Sequence, residues 1–407
     1  MQIRRADRSD IRRVAELWIH SFPGERTLAE RMHMLETGGA WGGIETVHVV
    51  DDGHALAGAL KLQEMTQYFG GEGIPMMGLA AVAVSSAARR RGVGRDLCEY
   101  ALRVAAERGD ALSVLYPFRP EFYARFGWAM VGEVRRYRFR PEALTIDVEG
   151  PVRLASAEDE SGVRACYERF SHRSNGLVAR SPRAWRQHLD APNVWAYVHD
   201  DDGITGYMLV RYGRSRSPQR KPLAVRELIA DDDAAYRALL GWIPRQQDLW
   251  RRIHYDAWPD ERFDLLLSDP RPPGHVAVRW LWNPTARVLQ GPMLRILDVK
   301  SAFERRGCWG TDQPIAFTID VRDTHLPRNH GTFRVEWNGS ETRLERVASS
   351  NGDTRIALDV GTLAQLYAGE IGLANATRAH RAVVEGDTAG VAAFFAARSS
   401  FRLLDEF

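Results

Sequence analysis

Val82-Ala83-Val84-Ser85-Ser86-Ala87-Ala88-Arg89-Arg90-Arg91-Gly92-Val93-Gly94-Arg95 is the stretch on which the reading of this chain turns. The apolar run Gly78 to Val84 reads as a buried strand. It leads into a loop spaced Arg-x-x-Gly-x-Gly. Behind the loop, Arg95 to Glu107 carries Leu97, Tyr100, Ala101, Val104 and Ala105 on one helical face. A glycine-rich passage from a strand into a helix is an anion cradle. The glycines let the backbone approach a ligand, and the first N–H groups of the helix point at it with about half a positive charge. Neighbouring arginines add attraction, so a pyrophosphate fits. The loop is not a dinucleotide fingerprint, because the third glycine and the later ribose-binding acid are missing. Nor is it a P-loop, because Gly-Lys-Ser/Thr is missing. Taken alone, it could equally be a plain strand–turn–helix in an arginine-rich chain.

Working outward, helix and strand alternate on both sides. Asp7 to Asp10 caps a helix beginning at Ile11, Thr46 to Val50 and Leu56 to Leu62 read as strands, and Ala111 to Tyr116 as another. Phe122 to Gly127 is a short helical turn, and Arg135 to Arg140 is strand-like. Pro141 to Pro151 reads as a linker. A second unit repeats the order: strand Val152–Leu154, a helix around Val163 to Phe170, a hairpin over Trp195 to Val210, strand Ala224–Leu228 and helix Ala234–Ile243. It has no Arg-x-x-Gly-x-Gly, so it should not bind the same ligand. From Leu289 a third, α+β unit is expected, with strands at Ala316–Val321, Thr332–Trp337 and Arg355–Leu358 and helices at Gly361–Tyr367 and Ala389–Phe395. The expected domains are 1–144, 145–288 and 289–407, in a mixed α/β and α+β chain.

Composition excludes several classes. The 407 residues suffice for two to three domains, and 44% apolar with 27% charged residues is ordinary globular usage. The longest apolar run, Met76 to Val84, is far short of a membrane span, and no secretory signal is visible. Three widely separated cysteines suggest a reducing, cytoplasmic setting. No His/Cys/Asp cluster has metal-ligand spacing, so no metal is expected. A net charge of +2, with carboxylates interspersed, argues against a nucleic-acid partner. Only three basic residues are lysines (Lys61, Lys221, Lys300), which warns against reading every arginine pair as a phosphate site. Asp231 to Asp233 reads as a helix cap, and Arg214 to Lys221 as an exposed loop. Trp250, Trp258, Trp280 and Trp282 read as core or interface.

The loop and its strand resemble the GNAT N-acetyltransferase superfamily, in which Arg/Gln-x-x-Gly-x-Gly/Ala cradles the pyrophosphate of acetyl-CoA. Within it, Leu115 to Trp128, ending Tyr123-Ala124-Arg125-Phe126-Gly127-Trp128, is similar to a segment of the Eis (enhanced intracellular survival) family. So are Met293-Leu294-Arg295-Ile296-Leu297-Asp298-Val299 and the closing Asp405-Glu406-Phe407. The resemblance implies an active N-terminal GNAT domain, a degenerate second GNAT domain, a sterol-carrier-protein-like C-terminal domain, a homo-hexamer, and transfer of acetyl from acetyl-CoA to a primary amine on an aminoglycoside, a polyamine or a protein lysine.

That chemistry assigns roles. Val82, Ala83, Val84, Arg89, Arg90, Arg91, Gly92, Val93, Gly94 and Arg95 are expected at the cofactor, with Phe118 and Arg119. A backbone N–H at Val84 or Ala83 would stabilise the thioester oxygen. Tyr123 would protonate the leaving thiolate, a role the Eis resemblance implies. No histidine lies beside loop or tyrosine; His20 and His48 are weak candidates for the base. The resemblance points instead to the α-carboxylate of Phe407, anchored by Leu403 and Leu404. Phe22 and Glu406 are expected at the acceptor, Glu406 favouring cations. The rival reading is a lipid or acyl-CoA binding protein that performs no catalysis.

Overall fold

The computed structural model describes residues 2–24, 26–51, 53, 55–146, 150–213, 222–274, 282–349 and 354–407. They divide into two compact units. One comprises 1–131, 175–184 and 292–407; the other comprises 132–174 and 185–291. The Arg214–Lys221 loop, Trp280 and residues 147–149 of the expected linker lie outside the described residues.

In the first unit, β1 (Gln2–Arg5), β2 (Val47–Asp51), β3 (Leu56–Phe69), β4 (Glu72–Val84), β5 (Leu112–Leu115) and β6 (Ala129–Met130) build one sheet. Helix α1 (Ile11–Ser21) buries Val14, Ala15, Leu17 and Trp18, the face its period predicts. Helix α2 (Leu28–Thr37) is not among the expected elements. Its start is nonetheless marked by a reciprocal capping box: Glu30 N donates to Thr27 Oγ1 (3.3 Å), and Thr27 N donates to Glu30 Oε2 (2.7 Å). Helix α3 (Val93–Arg108) packs Leu97, Cys98, Ala101, Leu102 and Ala105 on one sheet face. Helix α4 (Pro120–Ala124) is a single turn that carries Tyr123.

The second unit holds β7 (Glu133–Phe139), β8 (Val152–Leu154), β9 (Val194–Asp200), β10 (Ile204–Tyr212), β11 (Pro222–Ala230), β12 (Arg252–Ala257) and β13 (Arg287–Gln290), in the order β13-β7-β12-β11-β10-β9-β8. Helix α5 (Glu160–Ser171) packs on β10 and β11, α6 (Pro182–Leu189) follows in sequence, and α7 (Asp233–Gly241) packs on β9, β10 and β11. The Asp231–Asp233 run behaves as read. Asp232 caps α7 by accepting from Ala235 N (2.9 Å), and Asp231 pairs with Arg169 and Arg173. Trp258 is buried, Trp250 stacks on Tyr212 at 5.0 Å, and Trp282 is exposed.

Two strands cross the expected boundaries 1–144 and 289–407. β7, expected in the first domain, pairs with β12 and β13 in the second sheet. β14 (Met293–Ile296), expected to open the third, inserts between β5 and β6 in the first sheet. All four β14 residues are buried, which is why they read as the start of a new core rather than the completion of an old one. The remaining elements are α8 (Val299–Arg305), β15 (Ile315–Arg322), β16 (Gly331–Trp337), β17 (Thr342–Val347), β18 (Arg355–Asp359), α9 (Val360–Ala368), α10 (Leu373–Arg378), β19 (Ala382–Glu385) and α11 (Thr388–Phe394). Their sheet runs β17-β16-β15-β18-β19, and its apolar face shares one cluster with Met65, Phe69, Met76, Val114 and Leu294. Among the described residues no helix is long and apolar enough to cross a membrane.

One buried ion pair clamps this shared core. Arg295 on β14 and Asp323 after β15 are 0% and 1% exposed, 2.6 Å apart. Arg295 also donates to Phe126 O (2.8 Å), fixing the turn that follows α4. Burial pushes the Asp323 carboxyl up, but the Arg295 guanidinium, together with hydrogen bonds from His325 N and the Asn329 amide, holds the group below its usual range. Asp323→Ala would leave the buried Arg295 charge without its counter-ion, held among the described residues only by the carbonyls of Phe126 and Ile296. We expect a loss of about 3–5 kcal/mol, read as a lowered urea midpoint; a loss under about 1 kcal/mol would show that the pair does not hold the core.

Candidate functional site

β4 pairs with β5 only over Met76↔Leu112, Met77↔Ser113 and Gly78↔Val114. Beyond Gly78 the two parallel strands part, and among the described residues the β5-facing edge of Leu79 to Val84 has no ladder partner. On the other edge β4 stays paired with β3, but the register slips between Ala59 and Lys61. Ala81 takes φ +49°, and its carbonyl accepts the Trp18 indole N–H at 3.1 Å. This bulge re-aims the following amides. Val82 and Val84 then point to the α3 side, Ala83 to the α1 side.

The strand feeds the cradle. Gly92 is the N-cap of α3 at φ +88°, a backbone that L side chains rarely adopt, and no side chain caps the helix. The first reach-back bond is Asp96 N to Gly92 O (3.0 Å), so the amides of Val93, Gly94 and Arg95 are free to meet a ligand. Arg89, Arg90 and Arg91 are exposed, and among the described residues none makes an ion pair, whereas Arg95 pairs with Asp96. A Cβ on Gly94 would stand 3.3 Å from the Phe122 ring, so α4 walls this side of the cradle. An open strand edge, an uncapped helix start and uncommitted guanidinium groups together fit a diphosphate with a pantetheine-like tail.

Tyr123 is buried among Phe118 (5.6 Å), Phe122 (5.1 Å) and Trp128 (6.3 Å). Among the described residues its hydroxyl has no hydrogen-bond partner. Burial pushes its phenol up from the ordinary value, so it stays protonated throughout the neutral range. Phe118 is 63% exposed, and Arg119 is committed to Glu121 at 2.7 Å.

Phe407 belongs to a second cluster. Its ring meets Trp41 (6.4 Å) and Tyr116 (5.9 Å), and the Tyr116 hydroxyl donates to Asp405 O (3.0 Å). Arg180 and Asp405, both 0% exposed and 2.9 Å apart, fasten the segment, and Leu403 is buried. Tyr116 and Phe118, two residues apart, join this cluster to that of Tyr123. Phe22 packs with the α1–α2 core and Glu406 is exposed. His20 is exposed, while His48 bonds Tyr100 (2.8 Å) and burial lowers it to about 4, far too low for a base at neutral pH. The sequence reading assigns no site role to Trp18, Trp41, Lys61, Gln63, Tyr116 or Arg180, because their roles depend on a bulge and on contacts far apart in the chain. Half-buried Lys61, its Nζ donating to Gly42 O (3.0 Å), is lowered by desolvation to about 8.

Comparison with known proteins bears on family and fold. Residues 2–131 match a GNAT acetyltransferase domain, 176–296 a second GNAT acetyltransferase domain, and 299–401 a sterol carrier protein domain. The chain is 27% identical over 314 residues to N-acetyltransferase Eis of Mycobacterium tuberculosis, covering 73% of this chain and 71% of the relative. In fold it is similar to a GCN5-related N-acetyltransferase of Anabaena variabilis (TM-score 0.85, 21% identity, all of both chains). It is also similar to Eis1 of Mycobacterium abscessus (TM-score 0.79, 24% identity, all of both chains). Gly92→Glu should weaken acetyl-CoA binding at least tenfold, about 1.4 kcal/mol, relative to Gly92→Ala, which shares the backbone strain. Equal affinities by calorimetry would remove the pyrophosphate from this loop.

Proposed function

We propose that this chain, an Eis-like N-acetyltransferase built from two GNAT domains and a sterol carrier protein domain, transfers acetyl from acetyl-CoA to a primary amine by direct attack on the thioester. One observation carries the reading: the edge of β4 opens from β5 where it runs into an uncapped, arginine-flanked helix start. Acetyl-CoA supplies an acetyl group activated as a thioester. Val93, Gly94, Arg95 and the arginines Arg89, Arg90 and Arg91 hold its diphosphate, while Phe118 and Arg119 border it. The β4 amides of Val82, Ala83 or Val84 donate to the carbonyl oxygen as charge develops there.

A lysine-like amine is neutral in fewer than about one molecule in a thousand at pH 7, so the site must take up a proton. We assign that to the carboxylate at Phe407, directly or through a water. Tyr123 then gives its proton to the departing sulfur. The acceptor enters by a cleft of about 990 Å³, within the ordinary range for small-molecule sites, lined by Trp41, Met65, Glu45, Glu64 and Asp110. Trp41 reaches the Phe407 ring from this cleft. Phe22 lies on the same side of the sheet, and Glu406 adds negative potential for cationic acceptors such as polyamines, aminoglycosides or protein lysines.

Lipid carriage is the weaker reading. In the C-terminal domain Trp309 stacks on Phe394 at 4.2 Å, with Phe303, Phe317 and Phe395 around them, so its own rings occupy the interior. Three domains in this order, with β7 and β14 lying outside the sheets that the boundaries 1–144 and 289–407 would give them, a homo-hexamer and a cytoplasmic location belong to the same proposal; the three free cysteines support the last.

Tyr123→Phe keeps the ring and removes the proton. Its kcat should fall roughly 100-fold or more with the KM for acetyl-CoA little changed, followed by thiol release; a near-normal kcat means another acid. Residues appended after Phe407 should cut turnover by a similar factor while calorimetry finds acetyl-CoA binding intact. Equal rates with and without the extension would remove the carboxylate from the mechanism.

A further inference from the structure

We infer that Gln63 receives the acceptor amine, its side-chain amide oxygen taking one N–H of the attacking nitrogen; this rests on the transferase reading above. Gln63 lies directly opposite Gly78 in the β3–β4 ladder, and Gly78 is the last residue of β4 still paired with β5. Gln63 therefore faces the point where the strands part. Its side chain lies on the sheet face opposite Leu60 and Leu62, which pack toward α3. It is 2% exposed, and among the described residues its Oε1 has no hydrogen-bond partner. Orphaned buried acceptors are rare and unfavourable, and a ligand donor is one way they are satisfied.

Gly78 shows how closely this point is packed. A Cβ there would stand 2.7 Å from Met65 Sδ, 2.9 Å from Gln63 Oε1 and 3.1 Å from a Phe407 ring carbon. The orphaned oxygen thus lies beside the residue whose carboxylate is proposed to take the proton. A neutral amide also suits the chemistry better than a carboxylate. An amine that donates one N–H to an amide keeps its lone pair for attack, whereas a carboxylate favours the ammonium form, whose lone pair is already used. Gln63 is therefore a specificity-determining residue for acceptors that present a neutral primary amine.

The experiment compares wild type, Gln63→Leu and Gln63→Glu by thiol release, with 1,4-diaminobutane and n-butylamine as acceptors. Gln63→Leu should raise the acceptor KM at least tenfold and leave acetyl-CoA affinity within twofold. If that variant misfolds, the longer Gln63→Met takes its place. Gln63→Glu should restore acceptor binding but move the kcat–pH profile to higher pH, because its charge holds the bound amine protonated. The other charged or titratable groups around the site are Arg5, Glu45, His48, Lys61, Glu64, Arg108, Asp110, Tyr116, Glu406, the Phe407 carboxylate and the Arg180–Asp405 pair. They are common to all three proteins, so the shift reports on residue 63. An unchanged acceptor KM in Gln63→Leu, or an unshifted Gln63→Glu profile, overturns the assignment while wild-type turnover still upholds the transferase. Wild-type protein that binds acetyl-CoA yet releases no thiol with either amine overturns both.

Discussion

A guanidinium and a carboxylate that have both lost all contact with solvent, Arg180 and Asp405, tie the end of the chain to the segment at 175–184. Stripping two charges of water is costly, and the attraction between them offsets that cost only when geometry is good and the other polar atoms are satisfied. The chain supplies that geometry in relay. The edge of β3 carries the segment at 175–184: Tyr68 N donates to Leu177 O (2.8 Å), Ala179 N to Thr66 O (2.9 Å), and the Gln67 amide to Gly176 O (2.8 Å). That segment presents Arg180, Arg180 holds Asp405, and Asp405 leaves Phe407 against Gly78. Arg402 N bonds Asn175 O (2.7 Å), so main chain and ion pair fix the same few residues. A surface pair would be loosened by salt; this one is out of its reach.

The two units use one local plan to opposite electrostatic ends. Each runs a strand into a helix. At α3 the helix start is a glycine with arginines beside it and no side-chain cap. At α7 the same position is filled by Asp232, whose carboxylate takes the amide of Ala235, while Asp231 is held by Arg169 and Arg173. A phosphate approaching α7 meets a carboxylate where at α3 it meets free amides. The second sheet thus keeps the architecture and forfeits the anion site.

The cradle was legible because its signal is local: two glycines, an arginine cluster and a change of period within fourteen residues. Helix α3, Tyr123 in an aromatic turn and the hairpin of the second unit were legible for the same reason. Gln63 and Trp41 were not, since a glutamine in a strand and a tryptophan beside glycines have no pattern until Gly78 and Phe407 are brought to them. The bulge at Ala81 has no sequence mark either; alanine at positive φ is held there by the distant Trp18 indole. β14 misled for a physical reason. Four buried apolar or paired residues look alike whether they start a sheet or complete one, and only the ladder to Leu112–Leu115 tells the two apart.

That ladder has a consequence for how the chain is made. Until residues 293–296 arrive, β5 and β6 lack the strand that joins them, and Met76, Leu112 and Val114 lack the cover of the C-terminal domain. On the ribosome those residues emerge about 165 positions after Val131, a wait of about ten to thirty seconds at about 5–20 residues per second. Throughout it the nascent chain presents an open sheet edge beside apolar surface, the state most prone to pairing with another chain. The first sheet is begun first and closed late, so synthesis exposes for a time an edge that the finished fold keeps paired.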